Sequence, residues 1–199
     1  MIAMIMLGAL GLLAILGLGK PVLKDFRLNA AVVVIFFAMV IGLNFVPTIV
    51  WGGFSFRVGT MIFYAGILTM FFLFGKLSSR FTAFAIAVVL GGLAYAATRL
   101  ALLGGGGYFA DSNVVYGVVI GLIAMVVTRN GKYAFLIAAE AMMLFNLLVQ
   151  IGGPVSLDYG FDWTVTASTV AVVLYGLMAL MTTKPSKVSY YFEAGRLED

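Results

Sequence analysis

The chain has 199 residues, of which 63% are hydrophobic and only 10% are charged, and its formal net charge is +4. Soluble domains carry about 25% charged residues, so this composition excludes a chain that covers itself with a hydrated surface. The sequence contains neither Cys nor His, which excludes disulfides, thiol catalysis, histidine proton relays and thiolate or imidazole metal sites.

Seven apolar segments follow one another along the chain, each near the ~20 residues needed to cross the hydrocarbon core. The runs are unbroken, whereas barrel strands alternate between polar and apolar residues, so helices are expected. The fold is predicted to be an all-α, polytopic transmembrane bundle in residues 1–183, with a polar cytoplasmic tail at 184–199. The predicted spans are Ile2–Gly19, Ala30–Val50, Val58–Gly75, Phe81–Leu103, Val114–Thr128, Tyr133–Ile151 and Trp163–Thr182.

Short Gly-rich and Asn-Gly connections separate these spans and indicate turns. The longest loop is Gly152–Asp162, which holds Asp158 and Asp162. Inside the fifth span, Gly117 and Gly121 form a small-xxx-small motif, which serves either internal helix packing or a dimer seam. The other turn signals are Gly52-Gly53, Gly104–Gly107 and Asn130-Gly131.

Basic residues alternate between loops in a way that predicts the orientation of the bundle. The first, third and fifth loops and the tail are basic, which places the N-terminus outside and the C-terminus in the cytoplasm of a bacterium. The first helix lacks a preceding positive region and is expected to remain uncleaved. The basic residues are Lys20, Lys24, Arg27, Lys76, Arg80, Arg129, Lys132, Lys184, Lys187 and Arg196; an outer aromatic belt comprises Trp51, Tyr108, Phe109, Tyr159 and Trp163.

Glu140 is the only acidic residue deep inside an apolar run, seven residues into the sixth predicted span. A carboxylate at that depth costs several kcal/mol unless it is paired, hydrated or protonated. One interpretation is a proton, cation or substrate site. The other is a protonated carboxyl that hydrogen-bonds a neighbouring helix.

Other polar residues lie toward the outer ends of the predicted spans. Arg99 either snorkels to outer headgroups or captures an anion, in the second case together with Gln150. Arg99 and Glu140 differ in depth by roughly 16 Å, which argues against a direct pair. Asn146 and Gln150 share a helix face from which Glu140 is absent. Four polar residues lie at a similar depth along their predicted spans, and they form either a polar cavity or ordinary interhelical hydrogen bonds. They are Asn44, Tyr64, Tyr95 and Asn146.

Two family resemblances are visible. Met61–Phe74 resembles the third-helix segment of the membrane J subunit of bacterial respiratory complex I, but the acidic residue expected just before Tyr64 is absent. Most of the chain resembles the small YphA-like membrane proteins of endospore-forming Firmicutes, through Phe54–Arg57, Thr128-Arg129, Glu140 and Phe161-Asp162. That resemblance implies an envelope protein of a sporulating bacterium, without a defined activity.

The leading functional hypothesis is a non-enzymatic partner or scaffold subunit, because the sequence contains no catalytic set. The alternatives are a small transporter or channel that uses Glu140, a membrane subunit of a respiratory complex, and an intramembrane enzyme or lipid-binding protein. The expected partners are the lipid bilayer and another membrane protein. No nucleic acid, cofactor or metal is expected, and the oligomeric state stays open.

Overall fold

A computed structural model describes residues 2–17, 19–73, 76–99 and 114–182, with only the backbone for Pro21 and Arg99. The described residues are mostly helical and form eight helices and three short strands. The helices are α1 (Ile2–Ile15), α2 (Lys20–Phe26), α3 (Ala30–Leu43), α4 (Val58–Leu73), α5 (Leu77–Arg99), α6 (Val114–Thr128), α7 (Gly131–Val149) and α8 (Phe161–Thr182). The strands are β1 (Ile49–Trp51), β2 (Phe54–Phe56) and β3 (Val155–Ser156).

Three of the helices, α5, α7 and α8, are long and apolar enough to cross a membrane. Four shorter helices, α1, α3, α4 and α6, are also apolar. Large apolar side chains on these helices face outward, and Ile35, Val126 and Met181 are 65%, 70% and 84% exposed. An apolar surface of this kind needs lipid or protein around it. The exposed side chains therefore fit a multi-pass membrane protein.

Helix α7 lies at the centre of the described bundle. It packs closely against α5, α6 and α8 and more lightly against α4. Its small residues Ala134, Ala138 and Ala141 are fully buried, so the neighbouring backbones approach it closely. Glu140 therefore belongs to the central helix of the described bundle, and its side chain is half-buried.

The glycines of the fifth predicted span serve packing within the chain. A Cβ on Gly117 would lie 2.7 Å from the carbonyl oxygen of Trp163, and one on Gly121 would lie 2.6 Å from that of Ala167. Both carbonyls belong to α8, so α6 and α8 cross at a distance that only glycine allows. This contact confirms the internal-packing interpretation of the motif.

A small three-stranded sheet covers one end of the bundle and was missed by the all-α prediction. β1 and β2 form an antiparallel hairpin in which Trp51 pairs with Phe54 across the Gly52-Gly53 turn. Both glycines have positive φ, as a two-residue hairpin turn of type I′ requires. β3 adds in parallel beside β2.

The sheet and the helix ends correct several predicted boundaries. α1 ends at Ile15 rather than Gly19, and α2 is an additional short helix. α3 ends at Leu43 rather than Val50, because Pro47 cannot continue a helix and residues 49–51 join the sheet instead. The tail at 184–199, the Gly104–Gly107 turn and the end of the fourth predicted span lie outside the described residues.

Candidate functional site

Glu140 lies nine residues into α7, about 14 Å from the first residue of that helix. Its side chain is half-buried, and its Oε2 atom is buried without a hydrogen-bond partner among the described residues. A buried polar atom without a partner costs about 1–3 kcal/mol even in a soluble protein. The carboxyl of Glu140 therefore has an unused capacity for a hydrogen bond or an ion pair.

The neighbours of Glu140 along α7 show which way its side chain points. Ala139 packs with Phe63 and Ile67 of α4 in one core cluster. On the other side, Ala141 and Leu144 contact α5, because a Cβ on Gly91 would lie 2.6 Å from the Ala141 carbonyl oxygen and 3.3 Å from the Leu144 Cβ. Consecutive helical residues are ~100° apart, so Glu140 points between α4 and α5.

Helices α4 and α5 make few contacts with each other, and we infer from this that a lateral groove lies between them over the Glu140 face of α7. Phe71 of α4 and Phe84 of α5 close one end of this groove, with ring centroids 6.4 Å apart. One turn farther along, Leu68 and Val88 are 53% and 40% exposed. We call the space between α4 and α5, with Glu140 at its floor, the lateral groove.

Polar side chains beneath the sheet form two hydrogen-bonded pairs between helices. Asn44, at the end of α3, accepts a 3.0 Å hydrogen bond from the Thr60 hydroxyl of α4. Asn146 of α7 donates to the Gly160 carbonyl at 3.1 Å and to the Thr164 hydroxyl at 3.2 Å. Asn44, Thr60, Asn146 and Thr164 are all buried, so these bonds connect α3 to α4 and α7 to α8 in an apolar interior.

Tyr64 and Gln150 extend the second pair toward the sheet. The Tyr64 hydroxyl interacts with the side chains of Asn146 and Thr164. Gln150 donates to the Ser156 carbonyl at 3.1 Å and accepts from the Ser156 amide at 2.6 Å, which binds β3 to the end of α7. A cavity of about 30 Å³, the size of one or two water molecules, lies among Tyr64, Asn146, Gln150 and Ser156.

Two aspartates tie helix starts together at the same end. The backbone amide of Arg57, directly before α4, donates to Asp158 Oδ1 at 3.0 Å. The Arg57 Nε lies 3.9 Å from Asp158 Oδ2. In α8, Asp162 accepts a 2.8 Å hydrogen bond from the Ala3 amide in the first turn of α1. A carboxylate at a helix N-terminus compensates the exposed amides and the helix dipole.

The structure thus divides the seven predicted site residues into separate groups. Tyr64, Asn146 and Gln150 are adjacent, while Asn44 pairs with Thr60, which the sequence analysis did not single out. Tyr95 packs against the core cluster formed by α5, α6, α7 and α8, and it does not line the 30 Å³ cavity. Glu140 points into the lateral groove, and the side chain of Arg99 lies outside the described part of the chain.

No family model matches the chain, and no curated protein or solved structure is significantly similar to it. The resemblances to the YphA-like proteins and to the J subunit of complex I therefore stay predictions.

Several polar residues of the sheet end were not predicted as site residues. Thr60 and Thr164 carry short hydroxyls that are common in membrane helices, so their type alone gives no signal. Arg57 and Asp158 are separated by 101 positions in the sequence, which hides their contact. Within the described ranges, no three Asp or Glu side chains gather closely enough to hold a metal ion.

Proposed function

We propose that this protein is a seven-span protein of the bacterial cytoplasmic membrane, with its N-terminus outside and its C-terminus in the cytoplasm. The seven apolar helices and their outward-facing apolar side chains support this arrangement. The basic residues Lys76 and Arg80 of the third loop and Arg129 and Lys132 of the fifth loop follow the positive-inside rule. The sheet then lies at the outer surface.

The short helices fit this arrangement because the sheet end extends their apolar surface. α1 and α3 have 14 residues each, about 21 Å of helix, against a hydrocarbon core of about 30 Å. After α3, Phe45, Val50 and Trp51 are 82%, 74% and 79% exposed, so the apolar surface continues into the hairpin. Local thinning of the bilayer accommodates the remaining difference at modest cost.

Within that membrane, we propose that the protein acts as a non-enzymatic partner subunit and binds a transmembrane helix of another protein in the lateral groove. The observation that carries this proposal is the buried Oε2 of Glu140, which has no partner among the described residues. The chemistry of the groove defines the partner helix. It is apolar where it meets Leu68 and Val88, and it carries a Lys, Arg or other hydrogen-bond donor opposite Glu140.

Site-specific photocrosslinking in cells tests this function. A photoreactive residue at Leu147, which lies two turns from Glu140 on the same face and is 44% exposed, reports on occupants of the groove. The same residue at Val126, 70% exposed on α6, is the matched control away from the groove. Mass spectrometry of the adduct identifies the crosslinked molecule.

We expect Leu147 to yield one polypeptide adduct whose spanning helix contains a donor side chain. The adduct should be lost in Glu140→Leu and retained in Glu140→Gln, because the amide still accepts a hydrogen bond while the leucine does not. Both variants should fold. Adducts to lipid alone, or the same polypeptide adduct from Val126 or in Glu140→Leu, would contradict the proposed function.

The transport alternative has less support in the structure. Transport requires a path by which water or an ion reaches Glu140. The 30 Å³ cavity near the sheet is not lined by this residue. The face of α7 that bears Glu140 opens sideways between α4 and α5, which suits a helix better than a hydrated ion.

A further inference from the structure

The short helix α2 lies against the bundle at the end opposite the sheet. Its buried Phe26 packs with Leu136 of α7, and the rings of Phe26 and Phe135 meet edge-to-face with centroids 6.1 Å apart. Val22 joins the same cluster and lies 3.3 Å from where a Cβ on Gly176 of α8 would stand. An apolar face therefore fixes α2 against α7 and α8.

The opposite face of α2 carries basic side chains. Lys20 and Lys24 are four residues apart, so they share one side of the helix, and both are exposed. The ~100° step between successive helical residues places Val22 and Phe26 on the other side. Arg27, at the end of the helix, is exposed as well. We call Lys20, Lys24 and Arg27 the basic face of α2.

The acidic residue of this segment does not neutralise the basic face, because it is already paired within the bundle. Asp25 Oδ1 lies 3.8 Å from the Nζ of Lys132 on α7, and the side chain of Tyr175 on α8 also interacts with this carboxylate. Among the residues that the structure describes, the three basic side chains of α2 form no ion pair. Their positive charge is therefore available to a ligand.

An exposed apolar surface directly precedes the basic face. Ile15 and Leu16, at the end of α1, are 63% and 70% exposed. A tight turn follows, in which the Lys20 amide donates to the Gly17 carbonyl at 3.2 Å. The Lys20 side chain folds back over this turn, with its Cε 3.0 Å and its Nζ 3.6 Å from where a Cβ on Gly17 would stand. The Lys20 ammonium therefore lies at the margin of an apolar surface.

We propose that the basic face of α2 and the end of α1 together bind an anionic phospholipid. Its phosphate contacts Lys20 and Lys24, and an acyl chain lies along Ile15 and Leu16. Basic residues at a membrane surface attract acidic headgroups, and a lysine stem can follow apolar surface while its ammonium reaches a phosphate. A free phosphorylated solute shares the charge interaction, but it gains nothing from the apolar surface, so the ligand that matches both features is a lipid.

Native mass spectrometry of the purified full chain in detergent measures this binding. The protein is titrated with dioleoylphosphatidylglycerol, which is anionic, and with dioleoylphosphatidylcholine, which has the same acyl chains and a zwitterionic headgroup. The fraction of protein that carries lipid at each concentration gives a dissociation constant for each lipid. Glycerol phosphate, which has no acyl chain, serves as a soluble competitor.

The variants separate charge from position. Lys24→Gln removes one cation from the basic face, and Lys76→Gln removes the same charge from an exposed position directly before α5. Lys20→Gln/Lys24→Gln removes two cations, whereas Lys20→Arg/Lys24→Arg keeps both charges. These side chains are exposed, so all four variants should fold, and a melting curve for each one verifies this.

We expect phosphatidylglycerol to bind more tightly than phosphatidylcholine. Its dissociation constant should rise about fivefold in Lys24→Gln and roughly 25-fold in Lys20→Gln/Lys24→Gln, since each cation near an anionic lipid contributes about that factor. The constant should stay unchanged in Lys76→Gln and in the double arginine variant. Added salt should weaken the binding of phosphatidylglycerol, because it screens exposed charges.

Equal constants for the two lipids, an equal loss in Lys24→Gln and Lys76→Gln, or an unchanged constant in the double glutamine variant would overturn the proposal. If glycerol phosphate displaces phosphatidylglycerol at a similar concentration, the basic face binds a free anion and the assignment to lipid is wrong. Failure of the lateral-groove crosslink leaves this assay unaffected, because every variant keeps Glu140 and the helices α4 and α7 unchanged.

Discussion

Replacement of Gly160 by alanine tests the hydrogen-bonded joint between α7 and α8. Gly160 has φ +71°, a backbone conformation that costs an alanine about 1–2 kcal/mol. A Cβ at this position would also overlap the side-chain amide of Asn146. That amide is held by the Gly160 carbonyl and the Thr164 hydroxyl, so it cannot move aside without losing both bonds.

The overlap should add about 1–3 kcal/mol to the cost of backbone strain, as insertion of a methyl group into a packed interior does. Gly152 provides a matched control. It has φ +92°, but a Cβ there would meet no atom within 4 Å. Gly152→Ala should therefore lose only the strain energy of about 1–2 kcal/mol, and Gly160→Ala about 2–5 kcal/mol.

Thermal unfolding of the purified variants in one detergent measures the difference. At about 2–4 °C per kcal/mol for a chain of this size, Gly160→Ala should melt roughly 2–12 °C below Gly152→Ala. Equal melting temperatures would show that the Asn146 amide does not occupy the space next to Gly160, and the account of this joint would be wrong.

Each remaining prediction compares two positions at which the same substitution should change stability differently. Gly91→Ala should destabilise the protein by about 1–3 kcal/mol, because its Cβ would lie 2.6 Å from a backbone carbonyl of α7. A Cβ on Gly92 would meet no atom within 4 Å, so Gly92→Ala should instead raise the melting temperature, since alanine stabilises a helix by about 0.5–1 kcal/mol relative to glycine. A lower melting temperature for Gly92→Ala than for Gly91→Ala would refute the α5–α7 contact. Thr60→Val should cost about 1–3 kcal/mol by leaving the buried Asn44 oxygen without its donor, whereas Thr82→Val on an exposed face should be nearly neutral in the same unfolding assay.

The sequence carried enough information to locate the helices but not all of their ends. Hydrophobicity alone assigned Ile49 and Val50 to the second span because these residues are as apolar as the helix before them. Their exposure at the sheet end shows that the same hydropathy serves a hairpin at the surface. Two short apolar runs on either side of Gly52-Gly53 are a hairpin signature, and this signal was available in the sequence.

Depth along each span predicted the polar contacts only in part. Tyr64 and Asn146 share a depth and do meet. Asn44 and Tyr95 share it too, but they belong to different clusters, because depth does not specify the direction in which a side chain leaves its helix. The position of a residue around its helix predicts its contacts only when the neighbouring helices are known. The lateral groove beside Glu140 could therefore not be predicted before the packing of α4 and α5 on α7 was known.

Accessibility of single cysteines tests the membrane arrangement most directly, because the chain contains no Cys that would need removal. Pro154→Cys and Ser78→Cys place thiols at exposed positions near opposite ends of the bundle. A membrane-impermeant maleimide should label Pro154→Cys on intact cells and should label Ser78→Cys only after the membrane is opened. Labelling of both cysteines on intact cells, or of Ser78→Cys alone, would contradict a multi-pass bundle with its sheet end outside.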